Sequence, residues 1–173
     1  MKVIDLSTSL YSGVEVFEGD PEVKIQLVHT YEKNNWQLRK IEMGSHTGTH
    51  VDTPSHMHRG KDCLDDLTLE RFFGQAQVLK LDENFPKGIG LFFIEEIGEK
   101  WLDKILKANP RFVGGNITER LERALLDKEI ITYTGLVNLD LIAPGKTFMF
   151  YGLPLKIKEG DGSPVRAMAV IED

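Results

Sequence analysis

The stretch SHTGTHVDTPSH, residues 45 to 56, constrains this chain more than any other segment. It gathers three of the five histidines with an aspartate, as His46, His50, Asp52 and His56. Gly48, the threonines and Val51 are weak helix formers, and Pro54 breaks whatever precedes it, so the expected conformation is an extended segment ending at Pro54. Side chains of a strand alternate between faces, and residues an even number apart share one. All four are therefore expected to look into one pocket. Two imidazoles and a carboxylate, from His46, His50 and Asp52, suit Zn, Mn or Fe. That ligand count leaves positions open for water, as in a catalytic rather than a closed structural site. His56 then becomes a candidate general base. On spacing alone, a polar turn lined by Thr, Ser and His is the competing reading.

A chain of 173 residues with 41% hydrophobic content is long enough to bury a sizeable core, and a single domain over residues 1–173 is expected. The net charge of −6 and the lack of a Lys/Arg cluster longer than a pair argue against nucleic acid as a partner. A small-molecule substrate fits better. No stretch approaches the roughly 20 apolar residues of a membrane span, and MKVIDLSTSL lacks the pattern of a leader, so no membrane partner and a cytoplasmic location are expected. The single cysteine, Cys63, has no internal partner and sits in the acidic GKDCLDD, which disfavours a thiolate; it is read as structural.

Residues 2–6, 23–29 and 37–43 are short β-branched or alternating runs between turn residues, and 75–81 is another; all are expected as strands. Residues 94–108 place Ile94, Ile97, Trp101, Leu102, Ile105 and Ala108 on one stripe with Pro110 beyond, the pattern of an amphipathic helix. Asn116 and Glu119 suggest a capping box opening a second helix to about Lys128, with Leu121, Ala124, Leu125 and Leu126 buried. Strands are expected at 130–134, 147–157 and 165–171, the last two joined by the loop EGDGSP. Phe92, Phe93, Phe148, Phe150 and Trp101 are read as core or interface residues. The sum is a mixed α/β fold with two main helices.

HTGTHVDTPSH, with DLS near the N-terminus, the GDP turn at 19–21, and LPLKI followed by GDGSPVRA, resembles the cyclase-like metal-dependent hydrolases, the family of kynurenine formamidases and isatin hydrolases. The resemblance covers residues 1–81 and 136–171. It implies a swivelling β/β/α fold, assembly into homodimers or homotetramers, and hydrolysis of a small amide, formamide or lactam by metal-activated water. It also implies that His46, His50 and Asp52 bind the metal, with Zn or Mn expected, and that His56 handles protons. The segment between the first strands, with Phe17 or Trp36, is implied to line a neighbouring subunit's pocket. The middle of the chain departs from the family. A helix histidine and a strand glutamate that complete a second metal site fall here on Glu122 and Thr134, so one metal per chain is expected, with Glu122 read as a solvated helix residue. A site rebuilt with Glu122 as an oxygen ligand is one alternative. A non-catalytic family member retaining the fold as a binding or oligomeric scaffold is the other. His58 is expected at the surface and His29 without a partner.

Overall fold

The structure, a computed structural model, describes residues 1–172. Its organising element is a nine-stranded sheet in the order β1-β11-β9-β5-β6-β7-β8-β4-β10. These strands are β1 (Lys2–Asp5), β4 (His50–Asp52), β5 (Phe73–Leu79), β6 (Gly90–Ile97), β7 (Phe112–Ile117), β8 (Ile131–Thr134), β9 (Thr147–Tyr151), β10 (Gly162–Pro164) and β11 (Met168–Ile171). The central four, β5 to β8, run parallel, and the remaining pairings are antiparallel.

Parallel strands covered on both faces read as continuous apolar runs, and β6 does so. Leu91 and Phe93 face one way, into a cluster with Val113, Ile105, Leu121 and Leu125 beneath the helices α3 (Leu102–Ala108) and α4 (Glu119–Asp127). Phe92 faces the other way and meets Phe150, with ring centroids 4.7 Å apart, beside Phe112 and Tyr133. The sheet curls so that its two ends approach each other. Ser7 bridges Leu136, and Thr8 N donates to Thr49 Oγ1. Ile4, Leu6 and Val51 from the two ends thus share one core with Phe150 and Tyr133.

The expected mixed α/β fold is borne out, with local differences. The helix expected over 94–108 begins only at Leu102, after a 3₁₀ turn at Glu99–Trp101. Residues 94–97 continue β6, where Ile97 pairs with Ile117 of β7. Ile94 is exposed at 45% instead of joining a buried helical stripe. A Phe-rich run entering the middle of a sheet overrides helical spacing, because its neighbours bury both faces. Strand β7 itself carries two glycines, Gly114 and Gly115, which mask its β character in the sequence. The second helix is capped by Thr118, whose hydroxyl accepts from Leu121 N, while Asn116 lies in β7. Ala124 is only half-buried, whereas Leu121, Leu125 and Leu126 are buried as expected. Near the C-terminus the expected strand over 147–157 stops at Tyr151, and the loop EGDGSP leads straight into β10, which pairs with β4. Trp101 is half-buried at the edge of its cluster, and the four phenylalanines are buried.

Two further strands, β2 (Lys24–His29) and β3 (Leu38–Glu42), pair only with each other across the short helix α1 (Tyr31–Asn34). Leu27, Val28, Tyr31, Trp36, Leu38 and Ile41 on this arm are all exposed. His29 does have a partner, since its Nδ1 accepts from Trp36 Nε1 at 2.8 Å.

Candidate metal centre

The four polar residues of SHTGTHVDTPSH converge, though not by sharing one strand face. His46 lies in a turn before β4, His50 and Asp52 sit on one face of β4, and His56 is on the helical turn α2 (Pro54–Met57), which Pro54 opens. Proline fits the first turn of a helix because its missing N–H has no intrahelical partner there, so the expected break is also a start. Gly48, at φ +63°, turns the chain between the first two histidines; a Cβ there would meet Leu10 Cδ2 at 2.7 Å.

The centre of the group is Asp52 Oδ1, 2.6 Å from His46 Nδ1 and 3.4 Å from His50 Nε2. Each imidazole is held from behind through its other nitrogen. His50 Nδ1 donates to the Gly48 carbonyl at 2.7 Å, which turns Nε2 toward Asp52. That Nε2 is met by the Thr134 hydroxyl at 2.9 Å. His46 Nε2 reaches Asp161 Oδ2 at 2.8 Å. The His56 ring stacks on His46 with centroids 3.7 Å apart, and its Nδ1 lies 3.5 Å from the same Asp161 oxygen. Donor atoms of His46, Asp52 and His56 all lie within 4.8 Å of one another, while His50 touches the group through Asp52.

The electrostatics follow from burial and pairing. Burial by itself would lower the His46 pKa, but hydrogen bonds to Asp52 and Asp161 and their charges outweigh it and raise it to about 9. Burial, reinforced by the neighbouring His46 charge, lowers His56. Asp52 is almost wholly buried, yet its contacts with His46, His50 and Glu122 hold its carboxyl below the ordinary value. Glu122 is pushed up to about 8, first by burial and then by the charge of Asp52.

Glu122 is therefore not a solvated helix residue. It faces inward from α4, accepts the Thr132 hydroxyl at 2.7 Å, and shares a hydrogen bond with Asp52. Thr134, the other departure from the family pattern, lies against His50. His58 is exposed as expected, with Nε2 on the Arg123 carbonyl. Asp161 went unread in the sequence because EGDGSP has the composition of a plain loop; the pairing of that stretch with β4 is what brings it in. A cleft of about 390 Å³ lined by Phe93, Asn116, Gly135, Asn138 and Asp140 among others takes in none of His46, His50, Asp52 and His56.

A cluster of two or more imidazoles around a buried carboxylate, with His46 and His50 each held through an outer nitrogen, is donor chemistry that suits a divalent transition metal. Comparison with known proteins agrees with the fold. The Cyclase family model matches residues 4–111. A kynurenine formamidase of Salinibacter ruber is 31% identical over 97% of this chain and 97% of its own. An uncharacterized protein of Methanocaldococcus jannaschii is 32% identical over 99% of this chain and 100% of its own. Among solved structures, isatin hydrolase A from Labrenzia aggregata bound to benzyl benzoate superposes with a TM-score of 0.83 at 22% identity, covering 99% of this chain and 94% of that one. A potential metal-dependent hydrolase with cyclase activity gives a TM-score of 0.80 at 20% identity, covering 99% and 98%. With its histidine motif, its curled mixed sheet and these relatives together, the chain belongs to the cyclase family of metal-dependent hydrolases.

Proposed function

We propose that the protein hydrolyses a small amide, formamide or lactam, with His46, His50 and Asp52 holding one divalent ion, Zn or Mn, and His56 carrying the proton. The observation that carries this reading is the convergence of His46 Nδ1 and His50 Nε2 on Asp52 Oδ1, with each outer ring nitrogen hydrogen-bonded. When bound, such an ion polarises a scissile carbonyl and lowers the pKa of water toward neutrality. The chain supplies the rest. Burial and the adjacent His46 charge keep His56 neutral near pH 7, so its ring can accept a proton from water and return it to the leaving nitrogen. Asp161 holds that ring beside His46. The choice of substrate class is supported by the formamidase relative and by the isatin hydrolase neighbour.

A homodimer or homotetramer is part of the proposal. An isolated two-stranded hairpin is marginal in water, and the β2–β3 arm leaves Leu27, Val28, Trp36, Leu38 and Ile41 uncovered, so a second copy is the proposed cover. Light scattering on the purified protein tests it; a monomer at micromolar concentration would refute it. The cytoplasm is the proposed location, on the single cysteine; no helix among the described residues is long and apolar enough to cross a membrane.

The test of function pairs metal content with turnover. Wild type should bind about one metal per chain and hydrolyse an aryl formamide or an aromatic lactam. His50→Ala should lose the metal, and His56→Ala should keep the metal and lose turnover. Absence of metal after reconstitution with Zn and Mn would support the non-catalytic scaffold instead.

A further inference from the structure

We propose that Asp161 is the positioning residue of the metal centre, holding His46 through the ring nitrogen that faces away from Asp52 and fixing the place of His56. The proposal rests on the metal site proposed above. His46 presents its two nitrogens to two carboxylates, Nδ1 to Asp52 at 2.6 Å and Nε2 to Asp161 at 2.8 Å. A metal takes the lone pair of one nitrogen only. The other must keep its proton and a partner, or the ring is free to turn and to choose the wrong tautomer. His50 solves the same problem with a backbone carbonyl, that of Gly48. His46 solves it with a side chain that arrives 115 residues later in the chain.

The local structure around Asp161 is built for this contact. Ser45 Oγ donates to Asp161 Oδ1 at 3.0 Å, which orients the carboxylate and leaves Oδ2 for His46. The Asp161 backbone carbonyl accepts both Thr53 N at 3.0 Å and Thr53 Oγ1 at 2.9 Å. Thr53 precedes the turn that carries His56, and Asp161 Oδ2 lies 3.5 Å from His56 Nδ1. Gly162 lets the strand pass under the imidazole: a Cβ there would meet His46 Nδ1 at 2.9 Å and the Val51 carbonyl at 2.8 Å. One residue thus fixes a ligand ring, the proton-carrying ring stacked on it, and the backbone between them.

The test compares wild type with Asp161→Ala and Asp161→Asn, whose amide oxygen still accepts an N–H. Zinc affinity is measured by competition with a chromophoric chelator. The hydrogen-bonded ring N–H of His46 is followed in nitrogen-15 spectra of the metal-free protein. Loss of such an outer partner weakens metal binding by about 10- to 100-fold, so Asp161→Ala should fall in that range and lose the protected N–H signal. Asp161→Asn should restore most of both, which a merely unfolded variant would not. Unchanged affinity together with a retained signal in Asp161→Ala would overturn the proposal. Wild type that takes up no zinc would sink the metal reading of the function, and the N–H signal would then decide on Asp161 by itself.

Discussion

Replacing Glu122 by Gln should stabilise the metal-free protein at alkaline pH and do little at acid pH. In the folded chain Glu122 stays protonated up to about pH 8, whereas the ordinary value for a glutamate is 4.5. Its raised pKa means the folded state holds one proton more than the unfolded state between those limits. The associated stability is fully present below pH 4.5 and is lost as pH rises through about 8. One extra bound proton lowers stability by up to about 1.4 kcal/mol per pH unit, or roughly 3 kcal/mol between pH 5 and 8. Glutamine has no such proton to lose. Its amide N–H can take over the hydrogen bond to Asp52, while its carbonyl accepts the Thr132 hydroxyl that Glu122 accepts now at 2.7 Å. Urea unfolding of wild type and Glu122→Gln with chelator present, at pH 5 and pH 8, measures the difference. The gain at pH 8 should exceed that at pH 5 by about 2 kcal/mol or more. Equal effects at the two pH values, or destabilisation at pH 8, would refute the view of Glu122 as a buried neutral acid against Asp52.

Three other outcomes are expected. Metal affinity should rise with pH toward 9, because His46 must release its Nδ1 proton to bind and holds it to about that value; a flat profile from pH 6 to 9 in chelator competition would contradict this. Phe150→Ala should cost about 3 to 5 kcal/mol in chemical denaturation, since Phe150 is fully buried against Phe92, Phe112 and Tyr133. Thr118→Ala should cost about 1 kcal/mol by loss of the α4 cap, while Asn116→Ala should leave that cap intact.

The local pattern was sufficient where a segment's own chemistry settles its shape. Alternation placed β1, β2, β3 and β5 within a few residues, the apolar spacing of Leu121 and Leu125 placed α4, and SHTGTHVDTPSH named the polar residues that converge. Spacing misled at 94–97, where a strand buried in its first half runs on with exposed residues. GLFFIEEI became the centre of the sheet, and its last residues carried a helical stripe only by coincidence of Ile94 and Ile97. The even offsets of the four polar residues pointed to the right group for an incomplete reason: a turn, a strand face and a helical turn bring them together.

The sequence by itself determined the polar motif of His46, His50, Asp52 and His56 and the mixed α/β class, because residue chemistry and short-range sterics act within a few positions. Only the tertiary structure decided which nitrogen of each histidine faces Asp52, that Glu122 turns inward, and that Asp161 closes the group from behind. Those contacts join residues 46 to 161, 52 to 122 and 50 to 134, and nothing local encodes them. They exist because β4 pairs with β8 on one side and with β10 on the other, a choice made by the packing of the whole sheet.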